Sequence, residues 1–250
     1  MVRVRVRKAK LREINAIHDF YRSHPSGNLP LPQTKLIAET IRSGRVLVVD
    51  TGAEPRVLAV AALFELSPTE ALTYVAELSG MARDKALAGL KPISVQVLLI
   101  ALRVLGFVVA QGEAVSGTQS LISIVKKDND ESRRNLERAG FKPMAGPRPD
   151  WMKFDELGWH GKVVTDEWTY HYADNETVVA ILRIMGDELF DGQLKLGSGD
   201  DVTYPRKDFV VDIDLPDILR AVDDLIAIRD GRIKVDLVSP PPLQLSDDDL

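Results

Sequence analysis

Residues 95–110, VQVLLIALRVLGFVVA, are apolar almost throughout and carry Arg103 in their middle. The run falls short of the roughly 20 residues needed to cross a bilayer, and Ser94 stands before it as a helix cap. A helix apolar on nearly every side has to be enclosed by other elements of the same protein. The reading is therefore a buried helix, with no membrane role, around which the remaining chain is arranged. At 250 residues the chain has enough material for a substantial core, in one large domain or two smaller ones.

The flanking sequence supplies that cover. Val2 to Val6 alternates valine with arginine, the period of a strand rather than of a signal peptide. Lys10 to Arg22 places Leu11, Ile14, Ile17, His18 and Tyr21 on one helical face, and a turn-rich SHPSGNLPLPQ follows. Thr34 is expected to cap a helix running to Ile41 and ending at Ser43-Gly44. Arg45 to Val49 and Arg56 to Leu66 read as two strands joined by DTGAEP, and Ala71 to Leu78 as a third. After the buried helix come a short strand, Leu121 to Val125, and another helix.

That last helix lies in NDESRRNLERAGF, residues 129–141. Asn129 or Asp130 can accept the first free amides, Asp130 and Glu131 suit the positive end of the helix dipole, and Gly140 suits the left-handed exit. The order is strand, helix, helix, three strands, helix, strand, helix: an α/β or α+β class with a mixed sheet flanked by helices.

Composition narrows the chemistry. A hydrophobic share of 45% with 28% charged residues is that of an ordinary globular protein, and a net charge of −5 argues against broad nucleic-acid binding. With no cysteine, disulfides, thiolate nucleophiles and cysteine-ligated metals are excluded, and a cytoplasmic location is expected. The four histidines, His18, His24, His160 and His171, show no HxxxH or HxH spacing, so no metal site is expected. No GxSxG elbow, phosphate-binding P-loop or dinucleotide fingerprint is present.

The order and the local pieces together resemble the GNAT superfamily of acetyl-CoA-dependent N-acetyltransferases. VRVRKAKLREINAIHDFY is similar to its first strand and helix, GRVLVVDTGAEPRVLAVAALFEL to its central hairpin, and NDESRRNLERAGF to its last shared helix, with Asn129, Ser132, Gly140 and Phe141 at the family's pattern positions. The resemblance covers about residues 2–150. It implies a splayed mixed sheet, acetyl-CoA as co-substrate and transfer of an acetyl group to an amine on a small molecule or peptide. It also implies cofactor contacts at Leu78, Gly89, Leu90, Lys91, Ser94 and Asn129. A carboxylate on the strand ending near Leu78 is implied as the base, which selects Glu77, with Glu65 as runner-up. An amine near pKa 10 must lose a proton before it can attack a thioester, so such a base has a chemical purpose.

Two departures stand out. The family's glycine-rich phosphate loop corresponds to RDKALAGLKPIS, a few residues longer than usual, where Pro92 offers no amide. The tyrosine that protonates the leaving thiolate in many members is replaced by Leu136, which cannot donate a proton. Both leave open an alternative: an inactive relative of the same fold that binds a partner. The basic residues Lys126, Lys127, Arg133, Arg134 and Arg138 suit either phosphate contact or a solvated surface.

Beyond residue 150 the texture changes, and an appended α+β domain is expected over 151–250. Trp151, Trp159, Trp168, Tyr170, His171 and Tyr172 cluster at its start, a surface suited to a protein partner or a small core. A helix Glu176 to Leu189, a GSGDD turn, a strand Phe209 to Ile213, a helix Pro216 to Ile228 and an acidic tail complete the reading.

Overall fold

The structure is a computed structural model that describes residues 1–24, 33–51, 56–66, 73–111, 118–144, 167–198, 208–235 and 237. Its centre is a mixed sheet. Strand β1 (Val2–Lys8) pairs antiparallel with β2 (Val46–Asp50), β2 with β3 (Val57–Leu66), and β3 with β4 (Thr73–Arg83). Between the first two strands lie α1 (Ile14–Ser23) and α2 (Thr34–Arg42). The apolar run forms α3 (Val95–Gln111), and β6 (Thr118–Lys126), α4 (Asp130–Arg138) and β8 (Trp168–Ala173) follow. The expected mixed α/β architecture, a sheet flanked by helices, is present.

The sheet is the middle of three layers. In β2, Val46 and Val48 pack with α1 and α2 on one face, while Leu47 and Val49 join the larger core under α3 on the other. Burial on both faces explains why β2 reads as an uninterrupted apolar run rather than an alternating one. The strand β1 shows the opposite case. Val4 and Val6 enter the core under α3, whereas Arg3, Arg5 and Arg7 meet acids: Arg3 with Asp212, Arg5 with Asp50 and Asp214, and Arg7 with Glu13 and Asp50.

The strands after residue 150 belong to this same sheet. Its order is β5 (Leu90–Lys91), β9 (Gln193–Ser198), β10 (Asp208–Asp214), β1, β2, β3, β4, β6, β8, β7 (Lys142–Pro143). β10 lies parallel to β1 and β8 antiparallel to β6, so hydrogen bonds cross the expected division at residue 150 on both sides of the sheet. Helix α5 (Asn175–Met185) packs on α3, and α6 (Pro216–Arg220) and α7 (Val222–Arg229) close the layer. Both outermost strands are two residues long and pair a lysine with an adjacent proline, which blunts the edges against further pairing.

Several local expectations need correction. Thr34 is the first helical residue and Gln33 the cap position, without a side-chain cap bond. In α1 the buried face holds Ile17, Phe20 and Tyr21, while Leu11 is exposed in a short 3-10 turn ahead of the helix. Gly186, at φ +63, ends α5 early, and Ala221 divides the last helix in two. Trp151 and Trp159 lie outside the described residues. Arg103 is 5% exposed, and burial pulls its pKa down to about 9. Among the described residues no helix is long and apolar enough to cross a membrane.

Candidate functional site

The feature that organises the site is the seam between β4 and β6. Their parallel ladder runs from Thr73 opposite Thr118 to Glu77 opposite Ile122. Past that rung, β4 stays with β3 as far as Arg83, and β6 follows β8 from Leu121 to Lys126. A wedge therefore opens between Leu78–Arg83 and Ser123–Lys126.

Its cause is local. Val60 faces Ala82 and Ala62 faces Ser79, so Ala61 on β3 stands opposite two β4 residues, Gly80 and Met81. Such a bulge bends the strand that carries the extra residue, and here it begins three residues past the last β4–β6 rung. Glu77 occupies that rung, between Phe64 and Ile122, and Leu78 is the first β4 residue beyond it. Glu65 lies one rung back from Phe64, opposite Ala76.

The connection from β4 to α3 accounts for its own unusual length. The Asp84 amide donates to Leu58 (2.6 Å), and its carboxylate accepts from the Ala86 amide (2.7 Å) and Arg56 (2.9 Å). Burial pushes this carboxyl upward, but the Ala86 amide and the nearby Arg56 and His24 outweigh it and hold the pKa below the ordinary range. Leu87 enters the core, Gly89 turns the chain at φ +69, and Leu90 and Lys91 pair with Ser198 and Gly197 on β9. The additional residues thus form an edge strand. Leu90 is buried, and Gly89 and Lys91 are exposed.

Ser94 caps α3 as expected: its hydroxyl accepts from the Val97 amide (3.2 Å) and its carbonyl from Leu98 (2.9 Å). The hydroxyl also donates to Asn135 Oδ1 on α4 (3.4 Å), and Asn135 Nδ2 donates to Gln96 Oε1 (3.1 Å). Glu131, one turn before Asn135, accepts from Gln96 and from Arg83 Nη2 (2.7 Å). The amino ends of α3 and α4 and the end of β4 are tied together by this chain of bonds. Sequence reasoning missed it; the one available signal was the single-turn spacing of Glu131 and Asn135.

Asn129 caps α4 through the Ser132 amide (3.1 Å), and Gly140 leaves it at φ +87, beside Thr177 and Ala180 of α5. Leu136 is 1% exposed and belongs to the core. Arg133 and Arg134 pair with Asp130 on their own helix, as a solvated surface does. Of the histidines, His24 stacks on Phe20 and approaches Asp84 at 3.6 Å, and His18 meets Arg22. His171 is buried on β8 opposite Ser123, where burial, partly offset by Glu137, pushes its pKa down. The structure brings Ser94 onto α4, places Glu77 and Leu78 at the wedge, and carries Leu90 and Lys91 to the sheet edge.

No family model and no curated protein matches the sequence. Solved structures of similar fold include an N-acetyltransferase from Staphylococcus aureus (11% identity, 68% of this chain and 94% of that one, TM-score 0.44). A GNAT-family acetyltransferase from Streptococcus pneumoniae gives 10% identity, 68% and 96% coverage and a TM-score of 0.46. Naa50 from Arabidopsis thaliana, solved with a bisubstrate analogue of coenzyme A and a peptide, gives the same four values.

Proposed function

We propose that this protein is an N-acetyltransferase that moves an acetyl group from acetyl-CoA to a primary amine of a small molecule or peptide. The observation that supports it most is the wedge that opens past Glu77 and Ile122. Where two parallel strands part, β4 presents backbone groups to a ligand instead of to a neighbouring strand, and the two amides of a pantetheine arm are suited to pair with them as an added strand does. Leu78 begins that stretch.

In this reading the diphosphate lies over Gly89 to Ser94, at the amino end of α3, where the helix dipole favours anions and the exposed Lys91 adds charge. Leu90, buried and paired with Ser198, serves by holding the loop in place. Asn129 acts through the first turn of α4, which it caps. Glu77 takes a proton from the acceptor ammonium. The freed amine attacks the thioester carbonyl, a C–N bond forms and the C–S bond breaks; the nitrogen gives its second proton to solvent water as the amide forms, and the leaving thiolate takes its proton from the same solvent. A thiolate with a pKa near 8.5 leaves without an obligatory acid, which suits a chain with Leu136 in the core.

A second reading is an inactive relative that binds a protein through its aromatic stretch. The buried Leu136 and the engagement of Leu90 and Lys91 with β9 favour it. Calorimetric titration of the intact protein with acetyl-CoA separates the two: saturable binding with a stoichiometry near one is expected, and no binding overturns the enzyme reading.

A further inference from the structure

We propose that Asn135 is a positioning residue that sets the amino end of α3 for the diphosphate of the cofactor, an inference that rests on the acetyl-CoA reading above. Asn135 is a polar side chain only 4% exposed, on a helix otherwise rich in solvated charge. A buried amide is costly unless its donor and acceptor are both used, and here both are turned to the same short segment of α3. Its Oδ1 accepts from the Ser94 hydroxyl (3.4 Å) and its Nδ2 donates to Gln96 Oε1 (3.1 Å).

These two residues bracket the first helical position, Val95. Ser94 accepts from the Val97 amide while donating to Asn135, so one hydroxyl serves the helix and the neighbouring helix together. Gln96 in turn donates to Glu131, which Arg83 holds from the end of β4. The direction and height of the first α3 turn are thereby referred to α4 and to the wall of the wedge. An anion bound at a helix end depends on where the first amides point, and an interaction of that kind is sensitive to small displacements. The pantetheine arm, lying along β4, does not depend on the α3 end in the same way.

The test uses two probes that differ in the diphosphate. Binding of acetyl-CoA and of S-acetyl-pantetheine to the full chain is compared for the native protein, Asn135→Leu and Gln96→Leu. Gln96 is partly exposed, so its replacement keeps the fold if Asn135→Leu does not. The expected result is about tenfold weaker acetyl-CoA binding with S-acetyl-pantetheine affinity retained, as for one lost positioning bond. Equal weakening of both probes, or no weakening of either, overturns the inference: the first marks a merely structural role, the second no role. Native protein that binds neither probe instead overturns the acetyl-CoA reading itself.

Discussion

Arg83 Nη2, at the end of β4, donates to Glu131 Oε1, in the first turn of α4, at 2.7 Å, and so ties the β4 wall of the wedge to the helix that follows β6. Burial pushes the Glu131 carboxyl upward, but the bonds from Arg83 and Gln96 outweigh it, and the group stays ionised at neutral pH. A carboxylate bonded to Gln96, in the first turn of α3, opposes a diphosphate there and occupies Arg83. Glu131→Gln is therefore expected to tighten acetyl-CoA binding about two- to fivefold, the range of a partly exposed charge pair. The gain should shrink at high salt. Calorimetry at low and high salt checks it, and unchanged or weaker affinity at low salt would detach Glu131 from the cofactor.

Glu77→Gln should lower turnover roughly a hundredfold or more, as removal of a general base does, with little change in acetyl-CoA affinity. The measurement is a steady-state rate with a reactive amine over about pH 6 to 9. Near-native turnover throughout that range would make Glu77 a strand residue with no part in proton transfer.

Gly89 sits at φ +69, where a β-branched side chain is strained by about 1–2 kcal/mol. Asparagine tolerates that conformation. Gly89→Val should lower both the melting temperature and acetyl-CoA affinity, whereas Gly89→Asn should lower affinity alone by filling the space over the loop. Normal affinity in the asparagine variant removes the loop from the binding site.

Arg7, 4% exposed, holds Glu13 at 2.5 Å and Asp50 at 2.6 Å. Arg7→Met strips the buried Glu13 of its cation and leaves Asp50 its weaker contact with Arg5 at 3.5 Å, and should cost about 3–5 kcal/mol in denaturant unfolding at neutral pH. Burial raises the Glu13 pKa, but bonds from Arg7 and the Lys10 amide bring it below its ordinary 4.5. Its contribution is thus complete above pH 4.5 and is lost as pH falls through the lower folded value. The variant should show a shallower acid loss over that window than the native protein. Asp84 and Asp174 are also held low, so some acid slope persists. Identical slopes would mean that Arg7 does not set the Glu13 titration.

Much of this was readable along the chain. The whole of α4, from the Asn129 cap to the left-handed Gly140, follows from side chains that act within one turn of themselves. Ser94 was recognised as a cap for the same reason, and β10 by its Phe209–Ile213 pattern. The strands β5 and β7 carry no period because each has two residues, and of β9 only Gly197 and Ser198 fall in the GSGDD turn while residues 193–196 received no assignment. In sequence His171 belongs to an aromatic cluster, and only the pairing with Ser123 shows it buried in the strand next to the sheet's edge.

What the sequence determined by itself was the set of elements and their faces: the apolar α3, the valine–arginine alternation of β1, and the caps and exits of α4. These depend on periodicity and on hydrogen bonds between near neighbours. The tertiary structure decided which edge each strand joined. β10 lies parallel to β1, Leu90 crosses to Ser198, and β4 leaves β6 after Glu77, just ahead of the bulge of Gly80 and Met81 against Ala61. It also decided that Asn135 would meet Ser94, 41 residues away, and Arg83 would meet Glu131, 48 away. Partner and register at such separations are selected by the combined burial of all layers around the sheet, a quantity that no short stretch of sequence contains.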